Sequence, residues 1–381
     1  MWKIQLAELN YNHLEVEEVG KIISSKWLTM GEKTQEFEDN FSNLIGPNIK
    51  SLGVSSGTAA LHLALLAGGI KKGDDVIVPA LTFIADANVV KIVGANPIPA
   101  DCDSMNCWNM SLDSIKRVIT SNTKAIILVH YAGYPCEISE IVSYCEDRNI
   151  FLIEDVAHAP GAIIDGKKCG SFGDVGCFSF FSNKNLAVGE GGMLTTSSSK
   201  IYEKLKHLRS HGMSSLTLDR HKGRAATYDV IEPGLNYRID EIRSALGCVQ
   251  LDKLSDGNLK RKLLTERYVL NLKNSDVELP FLTTKAGSVS AHHIMPILLP
   301  KYVDRMSVIE QLKNEGIQSS IHYLGLWDFL AYEHLFDKNI YPFAHDICAR
   351  ELTLPLFPGM SLDQVDEVTT NLLKILDNYE R

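Results

Sequence analysis

The sequence contains no hydrophobic run long enough to cross a membrane. No stretch approaches the roughly 20 apolar residues that a membrane-spanning helix needs. The first residues, MWKIQLAELN, also lack the basic segment followed by an apolar run that marks a secretory signal peptide. We therefore expect no membrane association and a cytoplasmic location.

Closely spaced cysteine pairs are absent as well. None of the eight cysteines forms a CxxC pair and no histidine stands at zinc-finger spacing, so the sequence predicts no metal site. A disulfide framework is not expected in a cytosolic chain of this length. We interpret all eight as reduced and mostly core residues, because a free cysteine behaves as a small hydrophobic side chain; they are Cys102, Cys107, Cys136, Cys145, Cys169, Cys177, Cys248 and Cys348.

Positive charge is in the minority in this chain of 381 residues. There are 38 Lys and Arg against 47 Asp and Glu, a net charge of −9, which argues against general nucleic-acid binding. An anionic small ligand stays possible, since a local basic patch can form on an acidic protein. The phosphate-binding motifs GxxxxGK[ST] and GxGxxG are also missing, which excludes a P-loop enzyme and a dinucleotide enzyme that uses these motifs.

What the sequence does contain is an alternation of strand-like and helix-like segments. Helical patterns such as 59–69 and 137–148 lie between short apolar runs, and this alternation predicts a largely parallel sheet covered by helices. The last runs are too close together for helical crossovers, so we expect antiparallel pairing among them. The strand-like runs are 74–83, 96–101, 124–131, 150–155, 176–181 and 191–196.

After about residue 240 the pattern changes. Long helical periodicity covers 240–274, and shorter segments follow at 292–300, 302–316 and 351–361. We interpret this as a smaller C-terminal α+β domain on a connecting helix, with residues 1–250 forming a large α/β domain and 251–381 the small one. Ligands of open α/β sheets bind at the carboxyl ends of the strands, so polar residues just past strand ends are the candidates for function.

Three segments supply such candidates. In SSGTAALHLAL (55–65), Gly57 and Thr58 open a capped helix, whose free N–H groups favour an anion; the segment is equally explained as a capped helix alone. In FLIEDVAHAPGA (151–162), Asp155 ends an apolar strand. A carboxylate buried there needs a cationic partner. The alternative is that Asp155 simply caps the next turn. His158 follows, and a lone histidine there is more often a core or loop group.

The third segment is SFFSNKNLAVGEGGM (179–193), which contains a single lysine, Lys184, in apolar surroundings. Loss of hydration favours the neutral form of the lysine amine, which is how a lysine can become a Schiff-base nucleophile. The alternative is that Lys184 is a surface lysine whose aliphatic stem is buried. Taken in this order, an anion-binding helix start, an acid at a strand end and a semi-buried lysine are what pyridoxal phosphate (PLP) requires for its phosphate, ring nitrogen and aldehyde.

These motifs resemble the PLP-dependent sugar aminotransferases of the DegT/DnrJ/EryC1/StrS family. The resemblance covers nearly the whole chain and keeps the motifs in order. It implies the fold of type I PLP transferases, with a mostly parallel, mixed seven-stranded sheet between helices in the large domain. Besides the three segments above, it rests on WLTMGEKTQEFEDNF, PALTFIADANVV, GLNYRIDEIRSALGCVQLDKL and ELTLPLFPGMS.

The resemblance implies roles for individual residues. Lys184 would be the internal-aldimine lysine and Asp155 the partner of the protonated pyridine nitrogen. Phe83 would stack on the cofactor ring. The phosphate would meet the backbone of Gly57 and Thr58, the hydroxyl of Ser179 and, from a neighbouring subunit, Asn236. The active site would then lie between the protomers of a homodimer.

One position departs from the family pattern. His158 stands where the family usually has Gln, which forms a hydrogen bond near the 3-oxygen of the cofactor. A histidine can donate the same hydrogen bond, and it could also titrate near neutral pH. Relatives that lack the lysine dehydrate sugars, so the presence of Lys184 favours amino transfer.

The implied reaction moves an amino group from glutamate or glutamine to a keto-sugar through the pyridoxamine (PMP) form, for amino-sugar, lipopolysaccharide or other surface-polysaccharide biosynthesis. The acceptor is nucleotide-linked or a free keto-sugar acid such as an 8-oxo octulosonate. Arg220, Lys222 and Arg224 form a basic segment that could meet its anionic group or be solvated. Trp327 could line the acceptor pocket or belong to the core. A non-catalytic PLP-binding regulatory protein of the same fold is the alternative function.

Overall fold

The computed structural model describes residues 2–214 and 227–379, and its centre is a seven-stranded sheet in the order β1-β9-β8-β5-β4-β2-β3. Two further pairs, β6 with β7 and β10 with β11, are antiparallel. The strands are β1 Lys50–Val54, β2 Asp75–Pro79, β3 Asn96–Ala100, β4 Thr123–Val129, β5 Phe151–Asp155, β6 Ile163–Ile164, β7 Lys167–Lys168, β8 Val175–Ser179, β9 Gly192–Thr196, β10 Met295–Leu298 and β11 Glu351–Leu354.

The pairing confirms the predicted mixed sheet. Strands β3, β2, β4, β5 and β8 run parallel to one another, whereas β9 runs antiparallel to both β8 and β1. The six strand-like runs 74–83 to 191–196 correspond to β2, β3, β4, β5, β8 and β9. The sequence analysis did not identify β1, because this short segment is paired only with a strand about 140 residues further along the chain.

Helices cover the sheet on both faces. Along β4, Ile126 and Leu128 pack into one hydrophobic cluster and Ile127 into another on the opposite face, so the strand is buried on both sides, as a parallel strand is expected to be. The helices are α1 His13–Ser25, α2 Glu32–Ile45, α3 Gly57–Ala67, α4 Ala85–Ile92, α5 Leu112–Val118, α6 Ser139–Arg148, α7 Ser199–Leu208, α8 Glu241–Leu272, α9 Arg305–Asn314, α10 Pro342–Arg350 and α11 Leu362–Leu376.

Helix α8 connects two hydrophobic cores. Leu254 packs into a cluster beside the large sheet, whereas Leu264 and Tyr268 pack with β10, β11 and α11 in a C-terminal cluster. The proposed boundary at 250/251 therefore falls inside one continuous helix. Ile4 also joins the C-terminal cluster and bridges to Ile317, so the first residues of the chain pack against its C-terminal part. The two-domain division stays a prediction.

Six of the eight cysteines are buried, and Cys107 and Cys248 are half-buried, which confirms that they are mostly core residues. Within 2–214 and 227–379, no helix combines the length and the apolar character that crossing a membrane demands.

Candidate active site

Seven of the eight predicted cofactor residues line one cavity of about 300 Å³. It opens where β5 ends at Asp155 and β8 ends at Ser179, beside the first residue of α3. A larger groove of about 760 Å³ lies at the amino ends of β4 and β5 and contains none of the predicted residues. The residues brought together in the smaller cavity are Gly57, Thr58, Phe83, Asp155, His158, Ser179 and Lys184.

The start of α3 forms one end of this cavity. The Ser56 hydroxyl caps the helix by accepting a hydrogen bond from the Ala59 N–H at 3.1 Å. A Cβ atom on Gly57 would stand 2.8 Å from the Ser179 Cβ, so only glycine lets the helix start approach β8 this closely. Because N–H groups of a first helical turn have no partner within the helix, this end of the cavity suits an anion.

Lys184 enters the cavity from the turn that follows β8. Its N–H donates to the Phe181 carbonyl at 2.8 Å, and Gly189, at φ +88°, completes the chain reversal before β9. The side chain of the adjacent Asn185 donates to the Asn258 side chain and the Ala291 carbonyl, both at 2.8 Å, which ties the turn to the rest of the fold.

The amine of Lys184 has no hydrogen-bond or ion-pair partner within 2–214 and 227–379. Burial lowers its pKa to about 8, and the negative charge of Asp155 opposes part of that effect. The neutral amine is therefore accessible near physiological pH, which is the state that attacks a carbonyl carbon or accepts a proton.

Asp155 faces the cavity as half of a buried carboxyl pair. Its Oδ1 accepts a hydrogen bond from the Ala157 N–H at 2.8 Å, and its carboxyl group is coupled electrostatically to that of Asp86, whose Oδ2 accepts from the Thr82 hydroxyl. Burial raises the pKa of Asp155, whereas the Ala157 N–H and Lys184 lower it. Burial and the charge of Asp155 raise the pKa of Asp86 well above its ordinary value, so the pair shares one proton.

His158 lies between the backbone and an aromatic side chain. Its Nδ1 accepts from the Ala132 N–H at 3.2 Å, and its Nε2 is hydrogen-bonded to the Tyr323 hydroxyl at 2.8 Å. Burial lowers the pKa of His158 well below its ordinary value, and the charges of Lys184 and His322 add to the effect. The expectation that His158 titrates near neutral pH is therefore wrong, because the buried ring stays neutral.

Two predicted residues lie elsewhere. Asn236 is exposed and lies outside the cavity of its own chain. Trp327 is in a core cluster, stacked on Tyr341 with ring centroids 5.7 Å apart and planes at 7°, and it does not line the cavity. Of the two alternatives for Trp327, the structure supports a position in the core. Arg220, Lys222 and Arg224 lie outside the described residues.

Sequence reasoning missed several lining residues. Tyr323 and His322 lie just before Trp327 in the sequence, so the prediction that Trp327 lines the acceptor pocket indicated the right segment but the wrong aromatic residue. Thr82 lies next to the predicted Phe83. The other missed residues of the cavity wall with polar or aromatic side chains are Ser56, Phe181, Asn183 and Glu190.

The residues present fit pyridoxal phosphate. The absence of a side chain at Gly57 leaves the start of α3 accessible to the phosphate. The negative charge of the carboxyl pair at Asp155 can be compensated by a cation such as a protonated ring nitrogen. The unpaired Lys184 amine can bond to an aldehyde carbon. In addition, the Asn183 Oδ1 is buried in the cavity wall with no hydrogen-bond partner among the described residues, as expected for a group that meets a ligand.

Known proteins resemble this chain in sequence across nearly their whole length. The sequence profile of the DegT/DnrJ/EryC1/StrS aminotransferase family matches residues 10–373. GDP-perosamine synthase of Escherichia coli O157:H7 is 36% identical over 352 residues, which are 92% of each chain. The spore coat polysaccharide biosynthesis protein SpsC of Bacillus subtilis is 35% identical over 364 residues, 93% of this chain and 92% of that one.

Solved structures agree with the sequence comparison. Spr1654 of Streptococcus pneumoniae, assigned as a sugar aminotransferase, matches in its PMP form with a TM-score of 0.90 and 29% identity over 98% of both chains. Its PLP form gives the same TM-score and identity over 99% of both chains.

Proposed function

The chain belongs to the DegT/DnrJ/EryC1/StrS aminotransferase family and is a PLP-dependent sugar aminotransferase of fold type I, and we propose that it moves an amino group from glutamate or glutamine to a keto-sugar. The observation that carries the proposal is the unpaired Lys184 amine, with its pKa lowered to about 8 by burial, in one cavity with Asp155 and the start of α3.

Lys184 performs the proton transfers in this proposal. When bound, the cofactor supplies an electron-withdrawing ring that stabilises negative charge on the reacting carbon. With the cofactor bound, the Lys184 amine would hold its aldehyde carbon at rest. Once the amine of the donor had displaced Lys184 from that carbon, the freed lysine would take the proton from the donor's α-carbon and return it at the exocyclic carbon. Since burial lowers its pKa to about 8, the amine can change its protonation state near physiological pH, which suits a group that must act as base and then as acid.

The other residues of the cavity hold and orient the cofactor in this proposal. Asp155, as the anionic member of its carboxyl pair, binds the ring nitrogen and keeps it protonated. The start of α3, with Thr58 and the Ser179 hydroxyl, holds the phosphate. Phe83 is 55% exposed, which leaves its ring face free to cover the cofactor. His158 shapes the wall between these groups and Tyr323.

The acceptor is either a nucleotide-linked keto-sugar or a free keto-sugar acid such as an 8-oxo octulosonate. The name of GDP-perosamine synthase supports the first class, and the name of SpsC supports a role in the biosynthesis of a surface polysaccharide. A role in amino-sugar or lipopolysaccharide biosynthesis is part of the proposal. Offering each class to the PMP form separates them, because only a true acceptor restores the PLP absorption.

The active enzyme is a homodimer in this proposal. Asn236 is exposed, and Val230 and Ile231, close to it in the chain, expose apolar side chains that a second copy would cover. Asn236 of one protomer would then complete the phosphate end of the other cavity.

Mixing two inactive variants tests the shared site. In a hybrid of Lys184→Met and Asn236→Asp protomers, one of the two sites has both native residues. Random exchange of subunits should therefore restore about a quarter of the wild-type activity, because half of the dimers are hybrids with one native site each. Failure of an exchanged, dimeric mixture to regain activity would contradict the shared site.

The amino-donor step is tested without any acceptor. Adding glutamate to the PLP form should convert its absorption to that of the PMP form, with 2-oxoglutarate released in equal amount. An unchanged spectrum with both glutamate and glutamine would favour the non-catalytic regulatory alternative.

A further inference from the structure

The hydrogen bonds around His158 determine which ring nitrogen carries its proton. The Ala132 N–H can only donate, so the His158 Nδ1 at 3.2 Å must be the acceptor. A neutral imidazole has one donor and one acceptor nitrogen. The proton is therefore on Nε2, and this nitrogen donates to the Tyr323 hydroxyl at 2.8 Å.

The surroundings keep this tautomer in place. A second proton on the ring would point an N–H group at the N–H of Ala132, and the ring is buried against His293, with centroids 4.4 Å apart. The titratable groups that face His158 and Tyr323 from neighbouring elements are Tyr131, Lys184, His293, His322, Asp86, Asp155 and Glu351.

Tyr323 is left with a proton to donate. Its oxygen accepts from His158, and among the residues described here no other group is hydrogen-bonded to this hydroxyl. Burial raises the pKa of Tyr323 well above its ordinary value, and the charges of Asp155, Asp86 and Glu351 add to the effect, so the group stays a phenol. Tyr323 lines the cavity together with Lys184, and its ring centroid is 5.5 Å from that of Phe83.

We propose that Tyr323 donates the hydrogen bond that this cavity offers to the phenolic oxygen of the bound cofactor, and that His158 is a positioning residue that acts through Tyr323. On the pyridoxal ring this oxygen is on the ring carbon adjacent to the one that bears the aldehyde group, which reacts with a lysine amine. A donor that shares the cavity with Lys184 and packs beside Phe83 is therefore suited to meet it. The resemblance assigned such a hydrogen bond to His158, but the Nε2 proton of His158 is already engaged.

The inference rests on the proposed function of Lys184, and the absorption of the lysine-bound cofactor tests it. That absorption titrates with the proton lying between the lysine nitrogen and the phenolic oxygen. Loss of this proton leaves a full negative charge on the oxygen, which a donor stabilises. Tyr323→Phe should therefore raise the spectroscopic pKa by about one to two pH units, the range expected for one hydrogen bond to a charged group.

Tyr268→Phe is the matched control. It removes a buried phenol hydroxyl that donates to the Pro355 carbonyl at 2.9 Å in the C-terminal core, and it should leave the spectroscopic pKa unchanged. An unchanged value in Tyr323→Phe would overturn the assignment of Tyr323.

Variants of His158 test whether it acts through Tyr323. His158→Gln keeps an acceptor for Ala132 and a donor for Tyr323, so its spectroscopic pKa should stay near that of the wild type. His158→Phe should raise the value in the native background and add nothing to Tyr323→Phe. Additive changes in the double variant would overturn the positioning role.

The same titration separates this inference from the proposed function. If the wild type shows no such band, or if the band survives in Lys184→Met, the role of Lys184 fails. If the band depends on Lys184 but ignores Tyr323, only the present inference fails.

Discussion

Two basic side chains of this protein, the buried Arg209 and the half-buried Lys184, differ in their partners. Arg209, at the end of α7, is 2% exposed, and its Nη1 donates to the Glu38 Oε1 at 2.5 Å and to the Gly53 carbonyl at 2.8 Å. Lys184 is half-buried, its amine has no such partner among the described residues, and burial lowers its pKa to about 8.

Two buried acids show the same contrast. Glu241, the first residue of α8, accepts hydrogen bonds from the N–H groups of Gly31, Lys33 and Thr34 and from the Thr34 hydroxyl, at 2.6 to 2.9 Å, and so fixes the start of α2. Asp155 accepts one backbone N–H and shares a proton with Asp86.

This difference distinguishes side chains that stabilise the fold from side chains that are available to a ligand. Glu241 and the Nη1 group of Arg209 have partners that compensate their burial, although the Arg209 Nε has none among the described residues, so both side chains hold elements together. Lys184 and Asp155 keep unused hydrogen-bonding capacity and altered pKa values in a cavity, which is the pattern expected of groups that meet a ligand.

Replacing Lys184 should have the largest effect on turnover. Lys184→Met removes the group that holds the cofactor and moves the proton, so kcat should fall by more than about 10³-fold. The melting temperature of the cofactor-free protein should not fall, because an unpaired buried amine is exchanged for an apolar chain of similar length. Steady-state kinetics and calorimetry check both values, and retained turnover would remove Lys184 from the mechanism.

Replacing Arg209 should lower the stability of the protein and leave its turnover nearly unchanged, the opposite of what we expect for Lys184. Arg209→Met leaves Glu38 buried without its cation, and the free energy of unfolding should drop by about 3 to 5 kcal/mol. Denaturant unfolding measures the loss, and adding Glu38→Leu should recover part of it. Turnover per folded molecule should stay near that of the wild type; a selective loss of kcat in a stable Arg209 variant would break the contrast.

The two acids extend the comparison. Asp155→Asn should reduce kcat by about 10²- to 10³-fold, since a preorganised charge at the reacting group is lost, without lowering stability. Glu241→Gln should instead lower stability by about 1 to 3 kcal/mol, because buried N–H donors lose their carboxylate partner, with kcat retained. Near-native kcat in Asp155→Asn would show that the ring nitrogen is not its target.

The smallest expected effect is a pH dependence of the cofactor-free protein. The Lys184 pKa is lowered from 10.5 to about 8 by folding, so between these values the unfolded chain binds more protons and stability rises with pH. The gain from this residue is at most about 3 kcal/mol, at about 1.4 kcal/mol per pH unit. Lys184→Met should lose that rise in pH-dependent unfolding, whereas an equal rise in both proteins would assign it elsewhere.

Local patterns were sufficient for most of the fold and for the cavity. Strands such as β4 and β5 are continuous apolar runs, and Gly57, Asp155 and Lys184 each lie just past a strand or at a helix start, where chain order predicts their convergence. By contrast, β1 depends on pairing with distant β9.

Long-range contacts explain what the sequence could not reveal. The hydrogen bond from His158 to Tyr323 joins residues 165 positions apart and changes the expected role of the histidine. Trp327 is adjacent to the cavity-lining segment in sequence, yet its stacking on Tyr341 places it in the core. The partners of Asp155, above all Asp86, likewise became clear only from packing.

The most direct test of Lys184 as the cofactor anchor is to reduce the PLP-loaded protein with borohydride and map the modified peptide by mass spectrometry. We expect the pyridoxyl mass on Lys184, and its loss when glutamate is added before reduction. Labelling of another lysine, or of Lys184 regardless of glutamate, would contradict the account.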